Sequence, residues 1–441
     1  LKDEEEFISE HETERIDLSE KLMLEYAADT LSGVPRTAGK AAADYGEASG
    51  GVSGRMDHTA ADSETRYLWT DAFAVLTFLE LGSITGKQKY LDFASSLIDS
   101  VHLTLGRHRG DDDRSGWISG LGEVEGAKHP TIGGLRIGKK LNESQPGEPY
   151  DPRLEWDRDG QYYHYLTKWM HALTVTGGFT GDPRYLRWAA ELARSAHDAF
   201  TTEGPGGKRM YWKMSIDLSR PLIPSMGQHD PVDGLTVYYE IDRAAARREK
   251  PHGVPGAGDG SVRHNESGSI PRLSEEISDL EEICSLSSFA TDDPLGIGGL
   301  LFDAYLLGKV IASDETGGET RLRLLETLLR DSAGGLRVFS RRYTETPPSY
   351  RLAFRELGLA ISLHSVLPLC ELVETGDPFA PRRNELLSVL EVIESYVFLS
   401  HDIESAWMDP KNRSSPLWLE HRNINSVMLA ASLAPGGFLR V

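Results

Sequence analysis

The chain has 441 residues, 39% of them hydrophobic, which suffices for one large domain or two to three ordinary ones. Sixty-eight acidic residues against 47 basic ones leave a net charge of −21. That excludes an electrostatic nucleic-acid binder, which needs a basic face for phosphates.

Residues 1–17 read as an acidic segment ahead of one domain over 18–441. They have neither the basic nor the apolar region of a signal peptide. A leader removed before Leu1 would be compatible with this. No uninterrupted run of about 18 apolar residues appears, so no membrane contact is expected. Cys284 and Cys370 are the two cysteines, and neither lies in a Cys-x-x-Cys pair. No zinc site or disulfide framework is readable, and a reducing, cytoplasmic setting is expected.

Apolar periodicity predicts about twelve helices, near 18–32, 64–82, 88–105, 160–177, 183–200, 231–246, 274–287, 296–312, 319–332, 352–374, 383–399 and 421–433. They form a repeat. Phe78–His102 and Ala172–His197 share an apolar helix end, a Thr-Gly turn (Thr85-Gly86, Thr180-Gly181) and a Tyr-Leu pair opening an amphipathic helix. Leu369–Tyr396 repeats this with Thr375-Gly376-Asp377-Pro378, and Thr316-Gly317 marks a fourth copy. Glycine closes one helix in the left-handed conformation and Asp-Pro opens the next. Short turns make antiparallel neighbours. Long segments alternate with these turns: Gly106–Arg153, Thr202–His229, Lys250–Ile270 and Ser400–Leu419. Lys250–Ile270 is poor in apolar residues and reads as a surface loop.

Hairpins with one apolar and one charged member, and long loops between them, resemble the six-hairpin (α/α)6 toroid over most of Leu18–Ala434. The resemblance implies an all-α fold with long loops on one face, and strand-like alternation within one loop adds a small β-hairpin. It also implies an enzyme among glycoside hydrolases, 2-epimerase-like sugar isomerases and polysaccharide lyases. The alternative built from the same pairs is an α-solenoid, a non-catalytic helical scaffold.

In such a ring the starts of the inner helices share one mouth. The six openings are Ser63–Phe73, Leu154–Tyr165, Gly227–Leu235, Thr291–Gly299, Ser349–His364 and Trp418–Val427, each rich in acids, Arg, His or aromatics. Asp230, Asp292 and Asp293 precede prolines and read as helix caps. Glycosidic hydrolysis needs two carboxylates across the scissile bond and aromatic surface for sugar faces. Asp157 and Asp159 are the first candidates, with Glu356 and Asp233 as partners. Arg66, Trp69, Asp71, Tyr163, His229, Arg355, His364, Glu420 and His421 are candidate substrate contacts. Trp117, Trp156, Tyr162, Tyr165, Trp407 and Trp418 are further aromatic candidates. Glu356 could equally pair with Arg355 or Arg351 in a buried network.

Isomerisation is the second reading. Histidines near neutral pKa suit proton transfer beside a carbonyl, and His164, His171, His229, His364 and His421 lie in or near inner helices. His364 and His421 are the favoured pair. The Gly106–Lys140 loop gathers Arg107, Arg109, Arg114, Arg136, Lys139 and Lys140, which would suit an anionic sugar; they could also simply neutralise Asp111–Asp113 and Glu123–Glu125. "GGLRIGKKL" within it alternates like a strand. The "DDDRS" and "TDDPL" acid pairs lack the spacing of a magnesium-dependent cyclase. There is no phosphate-binding GxxxxGKS/T and no GxSxG, and "GIGG" (Gly296–Gly299) suits close packing. No cofactor or metal is expected. The expected partner is a small-molecule carbohydrate.

Overall fold

The computed structural model describes residues 2–31, 66–249, 270–314 and 318–440. Its helices are α1 (Lys2–Leu31), α2 (Leu68–Thr85), α3 (Gln88–Leu105), α4 (Glu123–Lys128), α5 (Pro152–Asp157), α6 (Tyr163–Thr180), α7 (Pro183–Phe200), α8 (Asp230–Glu249) and α9 (Ser274–Ser285). They continue as α10 (Pro294–Ala312), α11 (Glu319–Glu345), α12 (Ala353–Leu363), α13 (Val366–Thr375), α14 (Arg383–Glu394), α15 (Phe398–Met408), α16 (Pro416–Glu420), α17 (Arg422–Leu433) and α18 (Gly436–Leu439).

The packing closes a ring. Helix α2 packs on α6, α6 on α8, α8 on α10, α10 on α12, α12 on α17, and α17 back on α2. A second layer covers it: α3 lies on α2, α7 on α6, α9 on α8, α11 on α10, α15 on α12, and α1 on α17. This is an (α/α)6 toroid, and ring closure rules out the open solenoid. Helix α1 runs unbroken across residue 17 and supplies the outer member of the last pair.

The inner helices are apolar on most faces because they touch neighbours on most faces. Leu68–Thr85 and Pro294–Ala312 have the length and apolarity of membrane spans, as does the combined stretch Ala353–Thr375. Buried shares of 78%, 72% and 67% show where that apolarity goes: into the ring. Gly298, within "GIGG", lies against the next inner helix. A β-carbon there would stand 2.6 Å from the Gly358 carbonyl oxygen.

The two clearest turns form as predicted. Gly86 and Gly181 adopt φ of +66° and +74°, each N–H returning to the preceding turn, and Asp182 caps α7 through the Arg184 N–H. The third copy differs. Gly376 has φ −80° and leads into a 3-10 turn over Asp377–Arg382. Thr316-Gly317, most of Lys250–Ile270 and the start of the first opening lie outside the described residues.

The far end of the ring is plugged. In α18 Phe438 stacks on Phe73 (ring centroids 4.7 Å) and packs tilted against Phe302 (4.2 Å). His171 Nε2 donates to the Phe438 carbonyl (2.9 Å), and its Nδ1 pairs with Glu240 (2.8 Å). The predicted strand in "GGLRIGKKL" is absent. The strands are β1 (Gln161–Tyr162), β2 (Thr201–Gly204), β3 (Gly207–Met210), β4 (Lys213–Met214) and β5 (Pro221–Ile223), with β2–β3 a hairpin and β1-β4-β5 a small antiparallel sheet. Ser400–Leu419, read as loop, holds α15 and α16.

Candidate functional site

A cleft of about 400 Å³ opens beside the ring mouth, between the start of α10, the C-terminal turns of α11 and the start of α12. It is of small-molecule size. Arg342, Tyr343, Tyr350, Arg351, Arg355 and Glu356 line it. Glu356 is 4% exposed. Burial pushes its carboxyl up to about 7, and neither Arg351 nor the Trp407 N–H brings it back to the ordinary range. Arg351 Nε lies 3.3 Å from Glu356 Oε1, and Trp407 Nε1 donates to Oε2 at 2.9 Å. Arg351 also stacks over Tyr343 and Trp407. Arg355 Nη1 donates to Asp293 Oδ1 at 2.8 Å, while Asp293 Oδ2 caps the Gly296 N–H. Arg342 pairs with Asp292 at 3.2 Å.

A neighbouring bay at the start of α6 is aromatic. His164 stacks on Tyr162 and meets Trp69 and Tyr165 edge-on, and Trp212 stacks on Tyr162. His164 Nδ1 is 3.6 Å from Asp230 Oδ1. Burial holds His164 down to about 4, so its ring is neutral at neutral pH. Asp230 is pushed well above the carboxylate range by burial and by Asp233. Asp230 Oδ2, Trp69 Nε1 and the Tyr162 hydroxyl are buried without a hydrogen-bond partner among the described residues. Below the bay, Lys168 is the cation between Asp233 and Asp303. Burial alone would lower its pKa, and those carboxylates hold it raised.

The structure brings Glu356 and Arg355 together in the cleft, and Trp69 and His229 near the bay. It disperses the rest. Asp157 is exposed at the end of α5, away from the inner helix, which begins only at Tyr163. Asp159 is fully buried as a strut, accepting from Arg136 (2.6 Å), Arg109 (3.2 Å) and the Gly138 (2.9 Å) and Gly160 (3.1 Å) N–H groups. Both of its carboxylate oxygens are thereby engaged. Asp233 is tied to Lys168 and to Thr167 (2.6 Å). Arg66 and Asp71 form a clasp with Tyr26 and the Thr30 carbonyl, fixing α1 to α2. Tyr163 is core, donating to Tyr238. Glu420 is exposed on α16, and His421 meets Phe354.

His364 and His421 do not face one another. His364 ends α12 and pairs with Glu404 at 2.8 Å, whereas His421 immediately precedes α17. The 11 residues of α12 separate the two levels by about 16 Å. The arginines of the Gly106–Lys140 loop are consumed locally: Arg107 by Glu123, Arg109 by Asp111 and Asp159, Arg114 by Asp112, Glu143 and Asp217, Arg136 by Asp159. Among the other aromatics, Trp117, Trp407 and Trp418 are buried in the core, and Trp156 is exposed beside Trp212.

Sequence reasoning missed Arg342 and Tyr343 because it ended α11 at 332, before Gly334-Gly335. The helix continues through these glycines, since Gly335 lies against the Thr291 carbonyl and Ile297, where a β-carbon would not fit. The available signal was the charged and aromatic run resuming after the glycine pair.

No family model matches the chain, and no curated protein matches it. Solved structures do. An inactive variant of the α-1,6-mannanase GH76A of Salegentibacter sp. HEL1_6, in complex with α-1,6-mannotriose, is 11% identical, with TM-score 0.45 over 97% of this chain and 100% of that one. Cellobiose 2-epimerase from Spirochaeta thermophila is 13% identical, with TM-score 0.43 over 84% and 86%. The same enzyme from Bacillus thermoamylovorans is 10% identical, with TM-score 0.38 over 75% of each chain. The fold named here rests on the ring's own packing.

Proposed function

We propose that this chain is a carbohydrate-active enzyme that hydrolyses a glycosidic bond at the arginine cleft, with Glu356 as the general acid. The observation that carries this is Glu356 itself. It is buried, it lines a cleft of sugar size, and burial keeps much of it protonated near neutrality. A glycosidase acid must hold a proton at working pH and give it to the leaving oxygen. Asp292 and Asp293, just before α10, are the carboxylates bound to the cleft-lining Arg342 and Arg355. One of them activates water. Asp157 and Asp159 have no part in this reading.

The test is turnover on a panel of α- and β-linked oligosaccharides by wild type, Glu356→Gln, Asp292→Asn and Asp293→Asn. Glu356→Gln and one of the two Asp variants should fold normally and lose at least about a hundredfold in kcat. Full activity in Glu356→Gln sinks the assignment.

A second reading has its own observation. His164 is a neutral imidazole at the bay, backed by Asp230. A neutral histidine can remove a proton beside a sugar carbonyl, as a 2-epimerase requires. Exchange of the substrate's C2 hydrogen with solvent deuterium, lost in His164→Ala and retained in Glu356→Gln, would favour isomerisation.

A further inference from the structure

The cleft contains more guanidinium than its own acids satisfy. Arg342 is matched by Asp292 and Arg355 by Asp293. Among the described residues the one acid paired with Arg351 is Glu356, and a proton on Glu356 removes that counter-charge. The side chain of Arg351 is 7% exposed, so water does little to screen it. Its Nη2 is buried and has no hydrogen-bond partner among the described residues; Arg355 Nε is in the same condition. Buried donors without acceptors cost free energy, and an anion with two or more oxygens removes that cost through charge-assisted bonds. Tyr343 and Trp407 hold the Arg351 fork in place, so little freedom is lost on binding.

We propose that the cleft holds an anionic group of its carbohydrate substrate, a uronate carboxylate or a sugar phosphate, on Arg351 and Arg355. This deepens the carbohydrate reading and rests on it. It moves the anion site from the Gly106–Lys140 loop, whose arginines are already neutralised, to the α11–α12 junction.

The experiment is titration calorimetry of the full chain at constant ionic strength. The probes are glucuronate, galacturonate, glucose 6-phosphate and mannose 6-phosphate, the neutral sugars glucose, galactose and mannose, and inorganic phosphate and acetate. At least one charged sugar should bind tenfold or more tightly than its neutral parent. Arg351→Met should weaken that binding by about tenfold to a hundredfold. Preference for a uronate identifies a carboxylate, and preference for a sugar phosphate identifies a phosphoryl group. Equal affinity for charged and neutral sugars, or no binding by any charged probe, overturns the proposal. Should Arg351→Met misfold by circular dichroism, Arg355→Gln at the more exposed rim carries the test, and unchanged affinity there overturns it. Inorganic phosphate or acetate binding as well as any charged sugar would keep the anion site and sink the carbohydrate reading. Turnover of neutral oligosaccharides without charged-sugar preference would do the reverse.

Discussion

Replacing Glu356 by Gln should stabilise the protein at alkaline pH while abolishing turnover. The magnitude follows from the carboxyl's position. Its pKa rises from an ordinary 4.5 to about 7 because burial disfavours the ionised form more than Arg351 and Trp407 favour it. At about 1.4 kcal/mol per tenfold change, that rise corresponds to about 3 kcal/mol. Between these pH values the folded state binds more protons than the unfolded state, so stability falls as pH rises through this window. Below 4.5 both states are protonated and the difference vanishes. Glutamine fits the same space without ionising. The variant should therefore match wild type near pH 4 and exceed it by up to about 3 kcal/mol above pH 7.5. Urea unfolding at a series of pH values measures this, alongside kcat on the same samples. Equal stability of variant and wild type at pH 8 would refute the claim that burial raises this carboxyl. A variant that is more stable and also fully active would refute its role as the acid.

Three other outcomes are expected. Asp159→Ala should destabilise by about 3–5 kcal/mol in chemical unfolding, because it strands Arg136 and Arg109 beside a vacated buried site; kcat per folded molecule should hold, and a large kcat loss without destabilisation would return Asp159 to catalysis. Phe438→Ala should cost about 3–5 kcal/mol by opening the plug between Phe73 and Phe302, and thermal unfolding unchanged from wild type would deny the plug its structural part. Gly298→Ala should cost about 1–3 kcal/mol by pushing α10 from α12, read in the same assay.

The hairpin repeat was legible because its causes are local. Thr-Gly turns, Asp-Pro starts and apolar periodicity act within a few residues, so Gly86, Gly181 and Asp182 behave as their types dictate. The inner and outer roles were legible too, since a helix packed on most faces must be apolar on most faces. The site was only partly so. Glu356 amid an apolar helix signalled an unusual carboxylate, and Arg351 was already a candidate partner. Asp157 and Asp159 looked equivalent as text, yet one is exposed and the other accepts four hydrogen bonds, three of them from distant segments.

Local sequence determined most of the helices, the two clearest turns and which helices face inward, because propensity, capping and periodicity are short-range. Only the tertiary structure decided which charges are spent. Arg109, Arg114 and Arg136 are neutralised by acids up to 103 residues away, whereas Arg351 keeps a buried N–H without an acceptor among the described residues. Coulomb energy and desolvation depend on distance and burial in three dimensions, and neither can be read from position along the chain.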